Sequence, residues 1–143
     1  MTAATHAPLG TFVGARSGDK GGNANVGLWV VDPVESAAVT LARGGAASLE
    51  VDDSAGALAD ARYAWLVAIL TPDRIRDLLP ETRPLRIEVF ALPNLRAVNV
   101  VIHGLLGRGV AETARSDPQA KGLGEHLRAR YVDIPTDLLG ASA

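Results

Sequence analysis

The chain has 143 residues, no cysteine and a formal net charge of −2, which is the size of one ordinary domain with a single core. The near-balanced charge, without any basic cluster, excludes nucleic acid as the main partner, and the lack of cysteine excludes disulfides, thiolate metal sites and cysteine nucleophiles. With an apolar fraction of 48% but only two Trp, two Tyr and two Phe, the interior must be filled by Ala, Val and Leu.

Residues 1–9 are small and polar and read as a loose lead-in without the basic and apolar regions of an export signal. The apolar runs Ala64 to Leu70 and Ala97 to Leu106 fall far short of the roughly 20 residues of a membrane helix. The expected setting is therefore cytoplasmic, with no membrane contact. Gly10 to Ala15 and Val26 to Val31 read as strands. Between them stands Arg16-Ser17-Gly18-Asp19-Lys20-Gly21-Gly22-Asn23-Ala24-Asn25, which reads as a long loop, since two antiparallel strands need only a two-residue turn.

That stretch is the first candidate site. Gly18, Gly21 and Gly22 can adopt φ > 0, converging backbone N–H groups can cradle an anion, and Arg16 and Lys20 add full positive charge. The natural guest is a phosphate or carboxylate. Asp19 would fix Lys20 or Arg16, or handle a proton. Neither a P-loop nor a dinucleotide fingerprint fits the spacing, because Lys20 precedes Gly21 and apolar β-branched residues follow Asn25. A solvated hairpin tip is the alternative.

Asp32-Pro33 then opens a predicted helix to about Ala42, stopped by Gly44 and Gly45. Gly45 to Asp60 is a variable connection, with Asp52, Asp53, Ser54 and Gly56 as a turn. From Ala57 the pattern is helical through Leu70, with Trp65, Leu66 and Ile69 inward. Thr71 caps a short helix reaching Leu79, with Pro72 in its first turn. Pro80 and Pro84 bracket a turn, and Leu85 to Leu92 alternates as a strand.

Pro93 to Gly109 is the second unusual segment. Asn94 suits an N-cap, and a helix from Leu95 would place Asn99 and His103 four residues apart on one face. The β-branched run Val98 to Ile102 suits a strand equally well; helix is the favoured expectation. Asn99 lies among apolar residues and so requires a hydrogen-bond partner or a ligand. His103 is either a proton carrier or a packing residue, and a single histidine without cysteine makes no metal site. Val110 to Ala114 is a predicted strand. Ser116 or Asp117 with Pro118 opens a last helix to about Arg130, with Leu123 and Leu127 inward, and residues 131–143 form an extended tail. The pattern predicts an α+β sandwich of the ferredoxin-like kind, a mainly antiparallel sheet with helices on one face, in one domain spanning 1–143. The loop at Arg16 to Asn25 and the glycine-rich end near Arg108 fall at sheet ends.

Three motifs carry a resemblance: Ala15 to Gly27, Leu92-Pro93-Asn94-Leu95, and Asp117-Pro118-Gln119-Ala120-Lys121-Gly122. Together they resemble the C-terminal domain of the AtuA family of acyclic terpene utilisation proteins, over Gly10 to about Leu127. The resemblance implies a ferredoxin fold that usually follows a much larger domain, and catabolism of citronellol- and geraniol-type acids as coenzyme A esters. Two departures stand out. Gly107-Arg108-Gly109 replaces three consecutive glycines, and Ala120-Lys121 replaces a Gly-Lys pair.

The resulting expectation is a small subunit working with a separately encoded large subunit of AtuA type on an acyl-CoA. Arg16, Ser17, Gly18, Gly21, Gly22, Asn23, Asn25, Asn94 and Asn99 would bind the ligand, and Asp19, Lys20 and His103 would serve the chemistry. No metal or bound cofactor is expected beyond a coenzyme A ester as substrate or ligand. Alternatives are a non-catalytic acyl-CoA or carboxylate binding module, or a structural oligomerisation domain. The chain alone is expected to be a homo-oligomer without turnover of its own, since no nucleophile, base and orienting group are legible together.

Overall fold

The computed structural model describes residues 3–31, 53–107, 109 and 117–140. The helix expected at 32–42, the strand expected at 110–114 and Arg108 lie outside the described residues. The described chain is an α+β fold with antiparallel sheets, in agreement with the expected class. In chain order it runs β1 (Ala4–Pro8), β2 (Val13–Lys20), β3 (Asn23–Val30), α1 (Asp53–Ile69), α2 (Pro72–Leu78), β4 (Ile87–Leu92), β5 (Ala97–Ile102), α3 (Leu123–Arg128) and β6 (Tyr131–Pro135).

β2 and β3 form one hairpin and β4 and β5 another, and the two join through β3 and β5 into a four-stranded sheet of order β2-β3-β5-β4. Alternation sorts the side chains. Ala24, Val26, Leu28 and Val30 of β3 and Val98, Val100 and Ile102 of β5 are buried at 6% exposure or less, and each of the Val, Leu and Ile side chains contributes roughly 1.5–3 kcal/mol by leaving water, the Ala24 methyl less. α1 and α2 add Leu66 and Ile75, and Leu70 and Leu79 at their ends join them in the same core. α3 lies against β2 on this side, where Gly124 lets the helix backbone approach Ala15 and Arg16. The described helices thus pack on one face of the sheet.

The first departure from expectation is the length of the hairpin. Residues 16–20 and 23–25 are strand, with Lys20 opposite Asn23, Gly18 opposite Asn25 and Arg16 opposite Gly27. Only Gly21 and Gly22 form the turn, Gly21 at φ +63 and Gly22 outside the left-handed region, as in a type II′ turn. Charge and glycine content obscured a strand whose ladder supplies all the order it needs.

The second departure is at 95–106. Pro93–Leu95 is a single 3-10 turn, and Arg96 at φ 45 redirects the chain into β5. Its β-branched residues pair with β3 on one side and β4 on the other, so a central strand wins over the helix and Asn94 caps none. Between Leu70 and Leu79 the expectations hold: Thr71 Oγ1 accepts from the Arg74 N–H at 3.1 Å and Pro72 opens α2.

α1 begins at Asp53, so Asp53 to Gly56 is helical and not a turn; alanines at 55, 57, 59, 61, 64 and 68 favour the helix throughout. The last helix is shorter than expected. Asp117 accepts from the N–H groups of Lys121 and Gly122, and Ala120 sits at φ 54, which holds the chain out of helix until Leu123. Leu123 and Leu127 point inward as expected.

Neither the lead-in nor the tail is loose. β1 pairs antiparallel with β6, Ala4 opposite Pro135 and Pro8 opposite Tyr131, and Val132 and Ile134 enter the core. Arg62 of α1 binds this end. Its guanidinium lies 4.5 Å from the Phe12 ring centre and its Nε donates to the Leu138 carbonyl at 2.7 Å; burial lowers its pKa from the ordinary value. Among the described residues, no helix is long and apolar enough to cross a membrane.

Candidate functional site

Because the strand period is two, residues of β2, β3, β5 and β4 that share a pairing row also share a face. On the face opposite the helices the rows are Gly14, Trp29, Ala97 and Leu92; then Arg16, Gly27, Asn99 and Phe90; then Gly18, Asn25, Val101 and Glu88. A fourth row at the hairpin end holds Lys20 and Asn23, with His103 following directly after β5. The four rows span about 20 Å, three steps of two residues at roughly 3.4 Å each.

This face is graded. Towards the hairpin end it carries Lys20, Asn23, Asn25, Glu88 and His103. Towards the other end it exposes Trp29, Phe90 and Leu92 at 38%, 46% and 42%, a row of large apolar groups of the kind that marks interaction surfaces. Trp29 lies over Gly14, where any Cβ would collide with the indole, so glycine there holds the ring flat on the sheet.

A groove of about 320 Å³ runs along β2, lined by Arg16, Ser17, Gly18, Asp19, Lys20, Asn25 and Gly27. On the far side of the same strand a second groove of about 330 Å³ is lined by Ala15, Arg16, Ser17, Lys121, Gly124 and Glu125. A third, of about 320 Å³ near Gly10 and Thr11, offers little to an anion. Its cation, Arg128, already binds the Val13 and Gly10 carbonyls and Glu125.

The predicted site residues divide. Arg16, Gly18, Lys20, Asn25 and Asn99 share the open face, and neither Arg16 nor Lys20 has an ion-pair partner among the described residues. Ser17 and Asp19 alternate to the other face. Ser17 Oγ accepts from the Gly124 N–H at 2.9 Å, which ties α3 to β2. Asp19, opposite Ala24, lines the groove along β2 but makes no ion pair with Lys20 or Arg16 among the described residues.

Gly22 and Asn23 have structural duties. The Gly22 backbone abuts the Gly107 carbonyl, and its own oxygen accepts from Leu106 N–H at 3.0 Å. Asn23 Oδ1 accepts from Gly104 N–H at 2.9 Å. The hairpin tip and the glycine-rich end at Gly104, Gly107 and Gly109 are therefore interlocked at the same sheet end. Asn94 lies at the opposite end, in the exposed turn between β4 and β5.

Glu88 was not anticipated. Its Oε1 lies 2.7 Å from His103 Nε2 and 3.3 Å from Arg86 Nη1. The signal was available in the alternation of Leu85 to Leu92, once pairing with β5 brings Glu88 beside His103. Among the described residues, no three His, Asp or Glu side chains gather as a metal site.

Comparison with known proteins agrees with this architecture. The family model described as AtuA ferredoxin-like domain matches residues 7–133. No curated protein and no solved structure matches the chain. With the match running from β1 into β6 and the fold it names in place, the chain belongs to the AtuA ferredoxin-like domain family.

Proposed function

We propose that the chain is a small accessory subunit that binds an anionic acyl compound, an acyl-CoA of the acyclic terpene or branched kind, on the face of its sheet opposite the described helices. It acts in the cytoplasm as a homo-oligomer, beside a separately encoded large subunit of AtuA type. The observation that carries this reading is the grading of the face. Arg16 and Lys20 offer charge without a described ion-pair partner, while Trp29, Phe90 and Leu92 offer exposed apolar surface further along. Sites of this make-up set a few convergent polar groups in an apolar frame.

Arg16 and Lys20 take the phosphate or carboxylate, Asn25 and Asn99 orient the carbonyl region, and the apolar end takes the hydrocarbon chain. The test is calorimetric titration of the purified chain with acetyl-CoA and octanoyl-CoA. The octanoyl ester is expected to bind more tightly, and Lys20→Ala to weaken both. Equal affinity for the two esters, or none for either, overturns the reading of the face. Co-expression with a neighbouring gene for the large subunit is expected to yield a stable complex, and failure of that complex to form overturns the accessory role.

A further inference from the structure

We infer that Glu88 and His103 form a general-base pair that removes a proton from the carbon α to the carbonyl of a ligand lying on the open face; the inference rests on the acyl-binding reading above. His103 Nε2 stands 2.7 Å from Glu88 Oε1. An ionised carboxylate only accepts hydrogen bonds, so the ring nitrogen facing it carries the hydrogen and Nδ1 is left with its lone pair free for a proton. Among the described residues Nδ1 has no partner. The ring is also held through its backbone, where the His103 N–H donates to the Arg86 carbonyl at 2.9 Å. Arg86 Nη1 in turn steadies Glu88 Oε1 at 3.3 Å.

Stability does not account for the pair. The side chains are 26% and 39% exposed, and a pair this open to water adds little to stability. A half-shielded, carboxylate-oriented imidazole on a face of amide and cationic groups is instead the arrangement of a base and its orienting group. No described Ser or Thr hydroxyl hydrogen-bonds to His103, so among the described residues the base has no protein nucleophile to activate, and its proton comes from the ligand. The charged groups facing it are Glu88 and Arg86 on β4 and its approach, and Lys20 across Asn23.

The surroundings suit enolisation. Asn25, one row from His103, carries amide N–H donors on the same face, Asn23 keeps its amide donors because its oxygen is the atom bound to Gly104, and Lys20 adds a cation. Such donors stabilise an oxyanion as charge develops. The Cα–H bond breaks, its electron pair forms the Cα=C double bond, and the carbonyl π pair moves to oxygen. The proton goes to His103 Nδ1, and Glu88 stabilises the imidazolium. Reversal returns a proton from solvent, with no redox partner or co-reactant and no net product.

The test is exchange of the α-hydrogens of octanoyl-CoA in D2O, followed by NMR or mass spectrometry, with binding measured on the same samples. The wild-type chain is expected to exchange them about 10²–10⁴-fold faster than buffer. His103→Gln should fall to the buffer rate while binding within about threefold of wild type. Glu88→Gln should fall at least tenfold and change the pH profile of exchange, which a merely structural role would not do. Binding of octanoyl-CoA with exchange at the buffer rate overturns this inference alone, as does unchanged exchange in a folded His103→Gln chain. Absence of binding by the wild type overturns the acyl-binding reading with it. If His103→Gln does not fold, the Glu88→Gln pH profile decides, and a profile identical to wild type overturns the pair.

Discussion

Gly22 and Gly107 meet backbone to backbone, and a methyl group added to Gly22 would fall within the radius of the Gly107 carbonyl oxygen. Neither side can yield by turning a side chain. Gly22→Ala is therefore expected to destabilise the fold by about 1–3 kcal/mol, the ordinary cost of overpacking a rigid contact. Gly18→Ala, where nothing lies within 4 Å of the added carbon, should stay within about 0.5 kcal/mol. Thermal unfolding of both variants checks this, and equal losses would remove the special standing of the contact.

Arg16 and Lys20 are exposed and have no described ion-pair partner, so their removal should spare stability. Lys20→Ala and Arg16→Ala are each expected to leave the melting midpoint nearly unchanged and to weaken anionic acyl ligands about three- to tenfold. The loss should shrink at 0.5 M salt, where screening shortens the reach of both charges. Titrations at low and high ionic strength measure it, and a salt-independent loss would mean that the charges act only through packing.

Much of the fold was legible, for identifiable reasons. Thr71-Pro72 announced a cap because a hydroxyl and a proline ring each act on their own few atoms, and Leu85 to Leu92 announced a strand by strict alternation. The stretch Arg16 to Asn25 was misjudged as loop because local composition carries no record of the ladder to β3. Residues 95–106 were misjudged because Asn94 looked like a cap, while the deciding fact, pairing of β5 on both edges, involves residues far away in sequence. Asn99 and His103 fall on the same side even so, since a spacing of four is even, but the strand holds them about 13 Å apart where a helix would hold them about 6 Å apart. Glu88 could not be found alone; its role depends on which strand lies next to its own.

Phe90 and Trp29 belong to the apolar end of the graded face, so their effects should scale with ligand chain length. Phe90→Ala is expected to weaken octanoyl-CoA by about 1–2 kcal/mol and acetyl-CoA hardly at all, consistent with roughly 25 cal/mol per Å² of lost apolar contact. Titration of esters from two to ten carbons reads this out. A uniform loss across the series would place the hydrocarbon chain elsewhere.

Ala120 is buried at φ 54, in a region where a β-branched side chain is strained. Ala120→Val is expected to cost about 2–4 kcal/mol from backbone strain and overpacking together. Ala120→Gly should stay within about 1 kcal/mol of the parent, because relief of the left-handed strain offsets the lost methyl burial and the added chain entropy. Urea unfolding distinguishes the two, and a strongly destabilised glycine variant would show that the methyl outweighs the backbone conformation.

The pairing of β1 with β6 has a consequence for how this fold can be carried. Ala4 stands opposite Pro135, and the Thr136 N–H donates to the Ala3 carbonyl at 2.9 Å, so the first and last described strands lie side by side at about one strand spacing, near 4.8 Å. A unit whose first and last strands adjoin can be spliced into a surface loop of a host protein, or circularly permuted through a short linker, without stretching its core. A permutant whose linker runs from Gly140 back to Ala3, so that the buried Leu138 stays in place, should keep the hairpin interlock, the graded face and the Glu88–His103 contact, while freeing the order of the elements from the order of the gene.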